Sequence, residues 1–145
     1  MKFLTQPLIS LEEPRVVLVV EDEDMVRRTL TRVLNQAGYR TLEAHHGSEA
    51  LSMVALAYPY LHLVITDVLM PELDGRALGQ RLRERYPALP VLYISAYQSD
   101  DLFHRGAPTS QAPYLQKPIE PEELLRVVQQ LLATLRLEPS ASRGA

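Results

Sequence analysis

The sequence contains no cysteine, which excludes a disulfide framework and a thiolate metal site and permits a reducing compartment. Positive charge is not in excess either. The formal net charge of -3 speaks against a dedicated nucleic-acid binder, whose footprint is a basic patch. No apolar run approaches the length of a membrane span. The opening MKFLTQPLIS has one lysine, and Thr5, Gln6 and Pro7 break up its apolar residues, which is too interrupted for a signal-peptide core. With 145 residues, 46% hydrophobic and 23% charged, the chain has the size of one domain and an ordinary globular composition. These features predict a soluble, cytoplasmic protein with neither a membrane nor a nucleic-acid partner.

What is present is an alternation of short apolar runs with stretches of helical period, the pattern of repeated βα units. VVLVV at 16–20 reads as a strand buried on both faces. Val26, Leu30, Val33, Leu34 and Ala37 then form one apolar stripe of a helix that Gly38 can end. A weaker strand at 40–44 precedes a helix at 48–57, with Ser48 expected as its N-cap. LHLVIT at 61–66 is a third strand running into Asp67, VLMPELDG is turn chemistry, and 76–86 is a third helix closed by Tyr-Pro. VLYIS at 91–95 is a fourth strand, and 99–105 is a short fourth helix cut off by Gly106 and Pro108. A fifth strand at 114–117 leads to PEELLRVVQQLLATLRL, a long last helix with Pro121 in its first turn. Five such units imply an α/β fold with a doubly wound open sheet and helices on both faces. The domain is expected over residues 15–137, with 1–14 an extension and 138–145 a flexible tail.

In open sheets of this kind ligands bind beyond the carboxyl ends of the strands. The first strand ends in Glu21 and Asp22, the third in Asp67, the fourth in Ser95 and the fifth in Lys117. Two unit charges about 4 Å apart repel by roughly 4 kcal/mol at an effective dielectric of 20, so three clustered carboxylates need neutralising. A hard divalent cation such as Mg²⁺, Mn²⁺ or Ca²⁺ suits oxygen ligands. Glu23 and Asp24 read instead as acids at a helix start, favoured by its dipole and able to cap it. Arg27 and Arg28 read as a solvated helix face, and Met70 and Pro71 as residues that shape the loop after Asp67. His45, His46, His62 and His104 read as ordinary surface or packing residues.

The fragments VLVVEDEDMVR, LVITDVLMPELDG, VLYISAY and YLQKP, in this order and at these spacings, resemble the response-regulator receiver domain of two-component phosphorelays over residues 16–137. The resemblance implies a flavodoxin-like (βα)5 fold with five parallel strands in the order 2-1-3-4-5. It implies a phosphorylation switch rather than an enzyme, with Asp67 as phosphoacceptor supplied by a histidine kinase or a histidine phosphotransfer protein. By the same resemblance Asp22 ligates Mg²⁺ directly, Glu21 acts through water, and Leu69 lends a backbone carbonyl; Mn²⁺ is an alternative ion. Lys117 pairs with the phosphoryl oxygens, Ser95 hydrogen-bonds them, and Tyr114 occupies the aromatic switch position.

Some residues depart from the family's usual pattern. Glu21 replaces the aspartate that many members carry. Gly106, Pro108 and Pro113 leave room only for a short fourth helix, which argues against dimerisation through that part. The run from VLYISAYQSDD to YLQKP looks more like receivers of hybrid histidine kinases or single-domain regulators than like transcription-factor receivers. Leu69 and Tyr97 are bulky at positions that flank the route of the attacking water in this family, so slow autodephosphorylation is expected. No helix-turn-helix or catalytic domain is expected after Leu137, and the output is then a contact with a downstream protein. Two other readings compete. A Mg²⁺-dependent phosphohydrolase would also use an aspartate nucleophile, but Leu69 stands where such enzymes carry a second aspartate. A degenerate receiver scaffold would lack part of the set Glu21, Asp22, Asp67, Ser95 and Lys117, which is intact here.

Overall fold

The computed structural model of the chain describes residues 13–96 and 112–144, with side chains of the last helix to Ala133. Five parallel strands form one sheet in the order β2-β1-β3-β4-β5. These are β1 (Val16–Val20), β2 (Arg40–Ala44), β3 (Leu63–Asp67), β4 (Val91–Ser95) and β5 (Tyr114–Gln116). The helices among the described residues are α1 (Asp24–Gln36), α2 (Gly47–Ala57), α3 (Gly75–Arg85) and α4 (Pro121–Gly144). The doubly wound, flavodoxin-like arrangement expected from the sequence is the one observed.

The central strands are aliphatic along almost their whole length because both of their faces are covered. Successive side chains alternate between the faces and divide the core in two. Val17, Val19, Leu63, Ile65, Leu92 and Ile94 pack on Leu30 and Leu34 of α1 and on Leu124 and Val128 of α4. On the other side Leu18, Val20, Val64 and Tyr93 meet Ala50 and Val54 of α2 and Leu78 and Leu82 of α3. Full burial of one such aliphatic side chain contributes about 1.5–3 kcal/mol, so the two clusters hold the helices to the sheet.

Register decides which residues leave the sheet together. Val20 lies abreast of Thr66, Asp67 of Ile94, and Ser95 of Gln116. Glu21, Asp67, Ser95 and Lys117 therefore emerge along one edge. The chain passes from β1 to β2 on one side and then returns to β3 on the other, which makes that edge the switch point of the topology.

Element boundaries follow local chemistry, with some shifts from expectation. Helix α1 ends as foreseen: Gly38 at φ 101° supplies the left-handed residue that lets the Tyr39 N–H donate to the Leu34 carbonyl at 3.0 Å. Helix α2 is capped by His46, not by Ser48. Its Nδ1 accepts the Glu49 N–H at 3.1 Å while Glu49 Oε1 accepts the His45 N–H at 2.6 Å. A cap needs only an acceptor in the right place, and the imidazole nitrogen supplies it two residues before serine could. Helix α3 starts at Gly75, with Asp74 Oδ1 accepting the Ala77 N–H at 3.0 Å. Strand β3 covers Leu63–Asp67 instead of 61–66, because its ladder with β1 begins at the Val17 and Leu63 pair.

Helix α4 runs to Gly144, past residue 137, where a flexible tail was expected. The apolar stripe stops there, but helical hydrogen bonds are made within the segment and do not require one. The helix expected at 99–105, with Tyr97 and His104, lies outside the described residues. No helix among the described residues is long and apolar enough to cross a membrane.

Candidate functional site

The five apolar residues of β1 run directly into Glu21, whose backbone is held from two sides. Its N–H donates to the Ala44 carbonyl of β2 at 3.1 Å, and its carbonyl accepts from Arg27 Nη1 at 2.9 Å. Its Oε2 accepts the Glu23 N–H at 3.2 Å, which turns the chain into α1. Glu21 is fully buried while Asp22 is exposed. Asp67 closes β3 and is buried, its Oδ1 accepting the Leu69 N–H at 3.3 Å. The Lys117 N–H donates to the Ser95 carbonyl at 2.7 Å, and this bond places the lysine side chain. Its Nζ lies 3.0 Å from Asp67 Oδ2 and 2.9 Å from Glu21 Oε1. Glu21, Asp22 and Asp67 bring one carboxylate oxygen each within 4.8 Å of one another.

Burial, and after it the nearby Asp67, raise the Glu21 carboxyl to about 7 against the opposing pull of Lys117. For Lys117 burial alone would lower the pKa, but Glu21 and Asp67 outweigh it and raise it. One ammonium thus faces three carboxyl groups. Glu21 Oε1 touches Nζ as an ion pair without hydrogen-bond geometry, and among the described residues it has no hydrogen-bond donor although buried. An oxygen in that condition, beside two more carboxylates, fits a hard divalent cation.

The loop after Asp67 is tightly built. Gly75 packs its backbone against the Asp67 carbonyl so closely that a Cβ would strike it, and its N–H donates to the Val68 carbonyl at 2.8 Å. Glu72 sits at φ 64°, a left-handed conformation that costs an ordinary residue about 1–2 kcal/mol. Val68 and Met70 are buried, so Met70 shapes the loop as expected, while Leu69 is 37% exposed beside Asp67. Ser95 is buried at the end of β4, and Tyr114 is half-buried at the start of β5, paired in register with Tyr93.

Glu21, Asp22, Asp67 and Lys117 are therefore brought together, and Ser95 joins them through the backbone bond to Lys117. Leu69 reaches Asp67 through its amide.

Arg27 corrects the sequence reading. It is not on a solvated face: its side chain is 4% exposed and bonds Asp24 Oδ1 at 2.7 Å, Glu43 Oε1 at 2.8 Å and the Glu21 carbonyl. The spacing of Asp24 and Arg27 was a usable signal, but Glu43 lies on strand β2 and left none. Arg28 is exposed as expected. Glu23 takes the N-cap position without a side-chain bond, and Asp24, in the first turn, pairs with Arg27 instead of capping. His62 is a packing residue, its Nδ1 accepting the Val16 N–H at 2.9 Å.

The chain matches the family described as the response regulator receiver domain over residues 17–129. It is 37% identical over 124 residues to the sensor kinase CckA of Brucella abortus, covering 85% of this chain and 13% of that kinase. It is 38% identical over 122 residues to the response regulator MprA of Mycobacterium ulcerans, covering 84% of this chain and 52% of that regulator. The chain thus spans about half the length of one of these relatives and far less of the other. The structure of TrrA from Thermotoga maritima in complex with Mg²⁺-BeF superposes with a TM-score of 0.74 at 27% identity, covering 81% of this chain and 99% of that one. By the extent of the family match and the level of these identities, the chain belongs to the response-regulator receiver domain family of two-component systems.

Proposed function

We propose that this chain accepts a phosphoryl group on Asp67, in the presence of Mg²⁺, from a histidine kinase or a histidine phosphotransfer protein. It signals by contact with a downstream protein. Receiver domains are phosphorylation switches that act with such kinases or phosphotransfer proteins. The observation that carries the reading is the Lys117 ammonium within 3.0 Å of Asp67 and 2.9 Å of Glu21, beside the exposed Asp22. The receiver unit is residues 15–137, working in the cytoplasm, with 1–14 as an extension.

Asp67 is the nucleophile. One of its oxygens bonds to phosphorus as the bond from phosphorus to the donor imidazole breaks, and the electron pair and a proton end on the imidazole. Asp22, Asp67 and the Leu69 carbonyl would hold Mg²⁺ directly, and Glu21 through water; Mn²⁺ would serve in its place. When bound, the cation neutralises charge on the phosphoryl oxygens. Lys117 supplies the complementary positive charge from the other side, already held in place and so with little reorganisation. Ser95 donates its hydroxyl to the phosphoryl group, and Tyr114 follows that movement inward as the switch. Leu69, bulky beside Asp67, obstructs attacking water and favours a long-lived acyl phosphate.

The test is intact mass after incubation with Mg²⁺ and a small acyl phosphate, comparing wild type with Asp67→Asn over time. A single phosphoryl adduct is expected in wild type alone, persisting well beyond seconds. An adduct on Asp67→Asn would move the site to another residue. Rapid phosphate release without an adduct would favour the phosphohydrolase.

A further inference from the structure

We infer that Arg27 is a positioning residue for the cation site: without touching the cation, it clamps the acidic turn so that Asp22, not Asp24, is presented to it. The inference rests on the reading of Glu21, Asp22 and Asp67 as ligands.

The turn carries four acids in succession, Glu21, Asp22, Glu23 and Asp24, and like charges so close would spread the chain if left alone. Arg27 holds it at three points. Its backbone N–H donates to the Glu23 carbonyl at 3.0 Å, its Nη1 to the Glu21 carbonyl at 2.9 Å, and its Nη2 to Asp24 Oδ1 at 2.7 Å. Asp22 lies between two residues whose carbonyls are thus fixed, and its own carboxylate stays exposed. Asp24 is drawn to the guanidinium and lies outside the cluster formed by Glu21, Asp22 and Asp67. The clamp is anchored in turn by Nε donating to Glu43 Oε1 on β2 at 2.8 Å. Three bonds in three directions from a side chain that is 4% exposed suit the planar, rigid fork of arginine, which a lysine cannot reproduce. Two carboxylates already compensate its charge, so its contribution to the site is geometry and not field.

The experiment is Mg²⁺ titration by calorimetry on the full chain, for wild type, Arg27→Lys and Glu43→Ala, with urea unfolding of each metal-free protein alongside. Arg27→Lys keeps the positive charge and loses the fork. Its Mg²⁺ Kd is expected to rise about tenfold or more, as for loss of a group that orients a metal ligand. The Asp67 phosphorylation rate should recover at saturating Mg²⁺. Glu43→Ala releases only the outer anchor and should weaken Mg²⁺ binding less, which keeps the test open should Arg27→Lys fail to fold. A lower urea midpoint with an unchanged Kd in both variants would show a merely structural arginine and overturn the inference. If wild type itself binds no Mg²⁺, the metal reading fails and takes the inference with it. Wild-type binding with unaltered variants removes the role of Arg27 alone.

Discussion

His62 stands at the base of the sheet, where its Nδ1 accepts the Val16 N–H at 2.9 Å. That bond requires the ring nitrogen to be unprotonated, and burial together with the charge of Arg15 lowers the histidine pKa below its ordinary 6.5. The unfolded chain therefore takes up the proton first as the medium is acidified. The contribution of His62 to stability is fully present above pH 6.5 and is lost as pH falls through the lowered folded-state value. His62→Asn retains an acceptor for the same N–H but does not titrate. Urea unfolding from pH 7.5 to pH 5 should show the advantage of wild type over this variant shrinking with acidity, and a difference constant across that range would refute the assignment.

Strand β4 and helix α3 meet through a small residue and a large one. Gly79 leaves a notch that the Tyr93 hydroxyl fills, so closely that any Cβ at 79 would strike it. The hydroxyl is buried and has no hydrogen-bond partner among the described residues, and burial raises its pKa. An unpaired buried hydroxyl destabilises a fold, whereas its removal leaves the aromatic packing intact. Tyr93→Phe should therefore raise stability by about 1 kcal/mol, read as a higher urea midpoint at unchanged slope. A lower midpoint would mean that the hydroxyl is satisfied in solution.

Among the described residues, three carboxyl groups, Glu21, Asp22 and Asp67, gather at one end of the sheet around Lys117. A cation that binds only the folded state stabilises it by mass action, by about 2.7 kcal/mol at a hundredfold excess over Kd. Thermal or urea midpoints should accordingly climb with Mg²⁺ concentration in wild type and hardly move in Asp22→Asn. A climb of equal size in that variant would place the ion elsewhere.

The sequence by itself determined the alternation of strands and helices, the doubly wound class and the acids and lysine at the strand ends. Each of these is written locally: periodicity sets the element and its buried face, and the residue that follows a buried strand must lie at its edge. Only the tertiary structure decided what holds the acidic turn, because Arg27, on a helix face that reads as solvated, is buried and held by Glu43, 16 residues away on strand β2. The partner of His62 was equally hidden, lying 46 residues back in the chain. The helix caps shifted for the same kind of reason. His46, not Ser48, takes the N-cap of α2 and accepts the Glu49 N–H, because backbone geometry in space, not residue preference, settles where a helix begins. Periodicity carries the face of an element, but the choice of partner depends on distances between residues remote in the chain, and folding alone creates those distances.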